Sequence, residues 1–412
     1  MKAERKLIVV LIDGLSADYY EEHTTQLPYL SQLAAGGTRI RRLSSPVPAT
    51  SMPGRASMLT GRPSQDHGVF GNHVFDGKTF RCATPGDIAV PTIAGRAREA
   101  GMAVANIGFA MAGPDSADVY RPPWWLRDFM EGSRFAKALD PASLPALFAA
   151  HHHGGHRSSE VEEEARASAL PAGPEAELML GLACDRRAIG VAADLACSDM
   201  PPDLILTEIA MTDQIQHRFG FATPAAHWAL GMADMLIGYM MHRLERAGRL
   251  ADYAVAVTSD HGHSPIETAI NPSAVLPETL FQSEGATLHV AIRDRAHEKE
   301  TERRLSEVGA EAIGNDHVPG RLRAQVSAFT APPGHSFEEA STEGDPAPLR
   351  APKYISSHGL RPGVPADDRF CIFAGAGVRA KLIQNATAEQ FCPTLGAMLG
   401  IAETDGNSLP VV

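Results

Sequence analysis

Asp213 and His217 stand four apart in "MTDQIQH", a spacing that puts both side chains on one face of a helical turn, where they can close on one ion. Further along, "TSDHGH" sets Asp260 beside His261, and "YISSHGLRP" presents His358 ahead of a glycine. Near the start, "KLIVVLIDG" ends in Asp13 and Gly14. Each feature alone has an ordinary explanation, since Asp-Gly is a common turn and an Asp and a His four apart recur by chance. Together they supply three carboxylates and three imidazoles. Mixed imidazole and carboxylate favours zinc, with manganese or iron as alternatives, whereas calcium and magnesium prefer oxygen. Six ligands exceed what one catalytic zinc accepts, because such an ion keeps a position open; two zinc ions with three ligands each fit better.

A second chemical candidate is Ser51, in "PVPATSMPGRASMLTGRPSQDHGVFGN" (46–72). Pro48 and Pro53 bracket Thr50 and Ser51 at the entry to a helix beginning in "RASMLTG". A helix N-terminus favours bound anions and stabilises an alkoxide, yet serine is equally common there as a plain N-cap. The segment alone leaves both readings open.

These residues need elements to bring them together. Four apolar runs read as buried parallel strands: 6–12, 203–209, 253–259 and 369–376. Helical patterns such as 225–248 separate them, so the expected fold is α/β, a mostly parallel central sheet with helices on both faces. In such sheets ligands bind beyond the carboxyl ends of the strands, where Asp13, Asp213 and Asp260 fall. Residues 266–352 alternate in short segments and read as a small α+β cap inserted into a core made of 1–265 and 353–412. Residues 151–178 are polar and charged and read as an exposed excursion. Its "HHHGGH" run reads as a solvated loop, because no acidic or thiolate partner is spaced to complete a closed metal shell.

Composition narrows the partners. The chain has 412 residues, 44% hydrophobic and 21% charged, the balance of a globular protein. A formal charge of −12 disfavours a nucleic-acid polymer, although a metal could still bring in a small anion against that field. No apolar run reaches membrane-spanning length, and "LIVVLI" leads straight into Asp-Gly without a cleavage site, so a cytoplasmic location is expected and no membrane partner. The five cysteines lack metal or disulfide spacing and read as free thiols. Oligomeric state is not legible.

In order, "VVLIDG", "TSMPGRASMLTG", "DHGVFGNHVFD", "TDQIQH", "SDHG", "SSHG" and the tail "EQFCPTLGAMLGIAETDGNSLP" resemble the alkaline phosphatase superfamily. Within it, the chain is similar to the two-zinc nucleotide pyrophosphatase/phosphodiesterase-like and phosphonoacetate hydrolase-like branches. The resemblance implies a zinc-dependent hydrolase of small anionic phosphodiester or related phosphoester substrates, working through a phosphoseryl intermediate. By motif it implies that Asp213, His217 and His358 hold one zinc and that Asp13, Asp260 and His261 hold the other. Ser51 becomes the nucleophile, counted with the metal ligands, and Asn72 the donor to a phosphoryl oxygen. Three rivals accompany this reading. "SMPGR" also fits the sulfatase pattern, in which residue 51 would become formylglycine, but sulfatases resemble oxygen-ligated calcium sites. Phosphonoacetate hydrolases resemble this chain in metal set, yet only Lys137 lies where their lysines receive the substrate carboxylate. The third rival is a metal-stabilised binding protein without turnover. Arg55 is expected either to contact a substrate anion or to pair on the surface. Trp124 and Trp125 are read either as a stacking wall for a base, aryl or choline group or as core, and His263 either as support for the ligands or as a residue after a turn.

Overall fold

The run KLIVVLI forms strand β1 (Lys6–Ile12), buried from Leu7 onward. Leu7, Val9 and Leu11 enter one apolar core and Ile8, Val10 and Ile12 the other, so a continuous apolar run is what a strand covered on both faces requires. The computed structural model describes residues 6–126, 174–339, 346–401 and 407–412.

Strands β2 (Thr38–Leu43), β3 (Val104–Ile107), β4 (Val119–Arg121), β5 (Leu204–Ile209) and β6 (Tyr253–Thr258) join β1 in the main sheet. A second sheet follows in the chain: β7 (Phe281–Glu284), β8 (Thr287–Ala291), β9 (Glu311–Ala312) and β10 (Val326–Thr330). The chain then returns through β11 (Arg369–Gly375) and β12 (Lys381–Ala386). The main sheet has the order β12-β2-β11-β6-β1-β5-β3-β4. All its pairings are parallel except those of β11, which runs against both β2 and β6. The expectation of a fourth parallel strand is therefore corrected at 369–375. β11 is buried from Arg369 to Ala374, and a strand buried on both faces looks alike in either direction.

Helix α1 (Ser51–Thr60) packs with Phe391 and Leu395 on one face of the sheet. On the other face lie α2 (Pro174–Ala196) and α4 (Pro224–Arg246), with α3 (Met211–Phe219) following β5 directly. Helix α2 begins at Pro174 and so takes in residues 174–178. Residues 151–173, with the HHHGGH run, and Lys137 lie outside the described residues. The second sheet has its own core, built around Leu288, Val290, Phe329 and Phe337. Among the described residues no helix is long and apolar enough to cross a membrane.

His67 ties α1 to the loop that follows it. Its Nδ1 accepts the Val69 N–H at 3.1 Å, so its Nε2–H faces the Ser57 hydroxyl at 3.1 Å. Burial pushes the His67 imidazole down to about 3. An unfolded histidine titrates near 6.5, so between these values the unfolded chain binds the proton and the folded chain does not. Stability carried by His67 is thus present above pH 6.5 and lost as pH falls toward 3, with about 2 kcal/mol gone by pH 5. Urea unfolding at pH 7 and pH 5 should show His67→Gln losing less on acidification than the wild type; equal losses would contradict the assignment.

Candidate active site

The site assembles from the carboxyl ends of β1, β5 and β6. Asp13 follows β1, and Gly14 next to it has a φ of +70°. A Cβ on Gly14 would come within 2.8 Å of the His263 ring and 3.1 Å of Asp213, so the Asp-Gly pair serves close approach as well as the turn. Asp213 and His217 sit on α3, whose first turn is anchored by Asp185 of α2. That carboxylate accepts the Ala210 and Met211 N–H groups at 3.2 and 2.9 Å and the Trp124 indole N–H at 2.7 Å. A carboxylate at a helix N-terminus is favoured by the dipole, and burial pushes Asp185 up to about 7. Asp260 and His261 follow β6, and His358 arrives behind the short pairing of Ser356 and Ser357 with Ser264 and Pro265.

Hydrogen bonds fix which ring nitrogens face inward. His217 Nδ1 donates to the Ser356 carbonyl at 2.8 Å, which turns Nε2 toward Asp213, 3.5 Å away. His261 Nδ1 donates to the Gly262 carbonyl at 3.0 Å, and its Nε2 meets Ser51 Oγ at 3.1 Å, Asp260 at 3.3 Å and Asp13 at 3.5 Å. His263 is oriented the other way. Its Nε2 donates to Asp213 at 2.6 Å, so Nδ1 accepts the Ser356 hydroxyl at 2.8 Å. This hydrogen-bonding pattern makes His263 a support for Asp213. The His358 ring stacks on that of His261, centroids 3.7 Å apart, and its Nε2 lies 4.0 Å from Asp213.

The six expected carboxylate and imidazole residues lie in one cluster with His263, in three compact trios: Asp13, Asp260 and His261; Asp213, His261 and His358; and Asp213, His217 and His263. The expected trio of Asp213, His217 and His358 is split between the last two, with His217 and His358 ring centroids 5.1 Å apart.

Charge is the dominant feature. Arg55 is fully buried, donating from Nη2 to Asp13 at 2.5 Å, from Nε to Glu208 at 3.1 Å and from Nη1 to Asp260. This corrects the expected surface pairing and leaves no nitrogen of the guanidinium uncommitted to a carboxylate. Trp125 supports the same network, donating to Glu208 at 2.6 Å with its ring 5.3 Å from the Arg55 carbon. Both indole N–H groups therefore bind buried carboxylates of the scaffold, which favours the packing reading of Trp124 and Trp125 over the stacking wall. Burial, with Asp260, Asp213 and Glu208 nearby, pushes Asp13 well above the usual carboxylate range despite Arg55. Burial also opposes ionisation of Asp213, but His217, His263 and His261 outweigh it and hold that carboxyl well below its usual range. Burial and His261 keep His358 neutral.

These features fit divalent cations. Asp13 Oδ1 and His358 Nδ1 are buried without a hydrogen-bond partner, the Nε2 atoms of His217 and His261 face the cluster, and carboxylates outnumber Arg55. Glu208, Asp185 and Ser356 were not anticipated. Only Glu208 left a sign in the sequence, a carboxylate inside the apolar run "LILTEI".

Ser51 opens α1 behind Thr50, whose backbone is extended. Asn72 Oδ1 accepts the Met52 N–H at 2.8 Å, which puts the amide NH2 on the other side of the group. Past Met52 lies a cavity of about 450 Å³ lined by Phe109, Met111, Tyr120 and Leu126 among others.

A mostly parallel sheet with a buried imidazole and carboxylate cluster beyond its strand ends, facing a serine at a helix N-terminus, defines a hydrolase-type site. The chain belongs to the type I phosphodiesterase/nucleotide pyrophosphatase family, whose sequence model matches residues 7–349, and it is a phosphodiesterase-like hydrolase of the alkaline phosphatase superfamily. Solved structures with the same fold include murine ectonucleotide pyrophosphatase/phosphodiesterase 5, an inactive form of it in complex with AMP, and the human protein. Each is 15% identical at a TM-score of 0.70, over 99% of this chain and 97% of the other.

Replacing Arg55 by Met should leave Asp13, Glu208 and Asp260 without a buried counter-charge and cost about 3–5 kcal/mol in metal-free protein. Urea unfolding measures this, and unchanged stability would contradict the role given to Arg55.

Proposed function

We propose that this chain hydrolyses phosphodiesters or related phosphoesters with two zinc ions, manganese or iron being alternatives, and with Ser51 as nucleophile. Asp213, His217 and His358 would hold one ion, and Asp13, Asp260 and His261 the other, with Ser51 Oγ in reach of the second set. When bound, such ions supply Lewis acidity, lowering the pKa of a coordinated oxygen and offsetting phosphoryl charge. In this reading 1–265 and 353–412 form the core and 266–352 an inserted cap.

The observation that carries the reading is Ser51 Oγ at 3.1 Å from His261 Nε2, at the first residue of α1. Without such a setting a serine hydroxyl is a poor nucleophile at neutral pH. The helix N-terminus attracts the phosphoryl oxygens, and the outward NH2 of Asn72 donates to one of them. Ser51 Oγ forms a bond to phosphorus as the bond to the leaving oxygen breaks and the hydroxyl proton passes to that oxygen, giving an alcohol and a phosphoseryl intermediate that keeps the second ester group of a diester. Water then attacks phosphorus, the Ser51–phosphorus bond breaks with a water proton restoring the hydroxyl, and a phosphomonoester leaves. The cavity beyond Met52 suits an apolar part of the substrate. The AMP complex of the murine protein supports a substrate of nucleotide size.

Zinc-loaded protein should cleave an aryl phosphodiester in preference to phosphomonoester, sulfate or phosphonoacetate. Ser51→Ala should lose at least about 10³-fold in kcat, and Asn72→Ala about 10²-fold. Sulfate turnover with residue 51 two hydrogens lighter than serine would overturn this in favour of a sulfatase, and selective phosphonoacetate cleavage in favour of a C–P hydrolase.

A further inference from the structure

Glu284 closes strand β7 of the second sheet and is buried, although it comes from an element remote in sequence from every residue of the site. Its Oε1 accepts the backbone N–H of His73 at 2.7 Å, its Oε2 that of Asn72 at 2.8 Å, and the Thr50 hydroxyl lies 3.4 Å from Oε2. One carboxylate thus takes two charge-assisted bonds from consecutive residues of the Asn72 loop and touches the residue before Ser51. The fit is close. A Cβ on Gly71 would stand 2.6 Å from the His73 carbonyl oxygen and 2.7 and 2.9 Å from the two carboxylate oxygens, so the loop and Glu284 together leave room only for glycine.

The turn beyond Glu284 grips the other side of the site. Ala286 N–H donates to the His358 carbonyl at 3.0 Å, and the Thr287 hydroxyl to the Gly359 carbonyl at 2.8 Å. Gly359 N–H in turn donates to the Ala49 carbonyl at 3.0 Å. Residues 284–287 therefore link the segments bearing Ser51, Asn72 and His358.

We propose that Glu284 is a positioning residue: it fixes the Asn72 loop against α1 so that the Asn72 amide meets the phosphoryl oxygen, which makes the second sheet part of the catalytic apparatus. Its bonds go to the backbone of Asn72, while Met52 N–H holds the side chain, so the amide is constrained at both ends. The consequence for turnover rests on the proposed function; the consequence for the loop does not.

Glu284→Gln keeps the side chain's size but turns one acceptor into an NH2 facing a backbone N–H. In protein with Ser51-dependent diester cleavage it should lower kcat about ten- to hundredfold with KM within about twofold. In an Asn72→Ala background the same change should cost less than about twofold, because the group it positions is gone. Wild-type kcat, or an equal loss in both backgrounds, would overturn the proposal. Hydrogen exchange without substrate reads the contact directly: exchange at the Asn72 and His73 amides should rise about tenfold or more in the variant, and unchanged protection would overturn it. Wild-type protein without diester turnover would strike the proposed function, and the exchange result would still decide the positioning role. If Glu284→Gln fails to fold, Glu284→Asp, one methylene shorter, is measured in the same ways with the same expected directions.

Discussion

Four carboxylates, Asp13, Glu208, Asp213 and Asp260, converge beneath the strand ends with Arg55 as the guanidinium among them, and the surrounding structure is built to hold that imbalance of charge. Burying uncompensated charge is costly, so the site needs further cation or proton. Burial and the neighbouring carboxylates raise the affinity of Asp13 for a proton. The same carboxylates, joined by imidazole nitrogens turned inward, form a donor set suited to divalent ions. Arg55 binds the far oxygen of Asp13, which leaves the near oxygen free of hydrogen bonds and facing His261.

The scaffold delivers these groups by two means. Parallel strands end together at one edge of the sheet, so Asp13, just past β1, meets Asp213 and Asp260 although they lie about 200 positions or more further along the chain. Around them a layer of neighbours sets orientation: Asp185 and Trp124 at the start of α3, Ser356 between His217 and His263, and Trp125 on Glu208. Such partners fix the direction of each ring: the Ser356 carbonyl takes the Nδ1 proton of His217, and Asp213 takes the Nε2 proton of His263.

Much of this was legible in the sequence because apolar runs mark buried strands and the residue after a strand end lies at the ligand-binding edge. Asp13, Asp213, Asp260 and His261 all occupy such places. The direction of β11 was not legible, since burial on both faces erases the alternation that distinguishes an antiparallel strand. Strands β3 and β4, four and three residues long, carry too little pattern to stand out. Arg55 meets its three carboxylates across 42 to 205 residues and Glu284 its partners across 211 to 234, which no local spacing encodes. The expected surface role of Arg55 followed from the usual exposure of arginine, and it failed because three buried carboxylates pair with it here.

The number of ions the site holds tests the two-metal reading most directly. Zinc bound after dialysis is measured by elemental analysis for the wild type, Asp213→Ala and Asp260→Ala, with folding checked by circular dichroism. Two ions in the wild type and one in each folded variant are predicted. A wild type that binds none, or a single ion lost equally in both variants, would contradict a two-metal site.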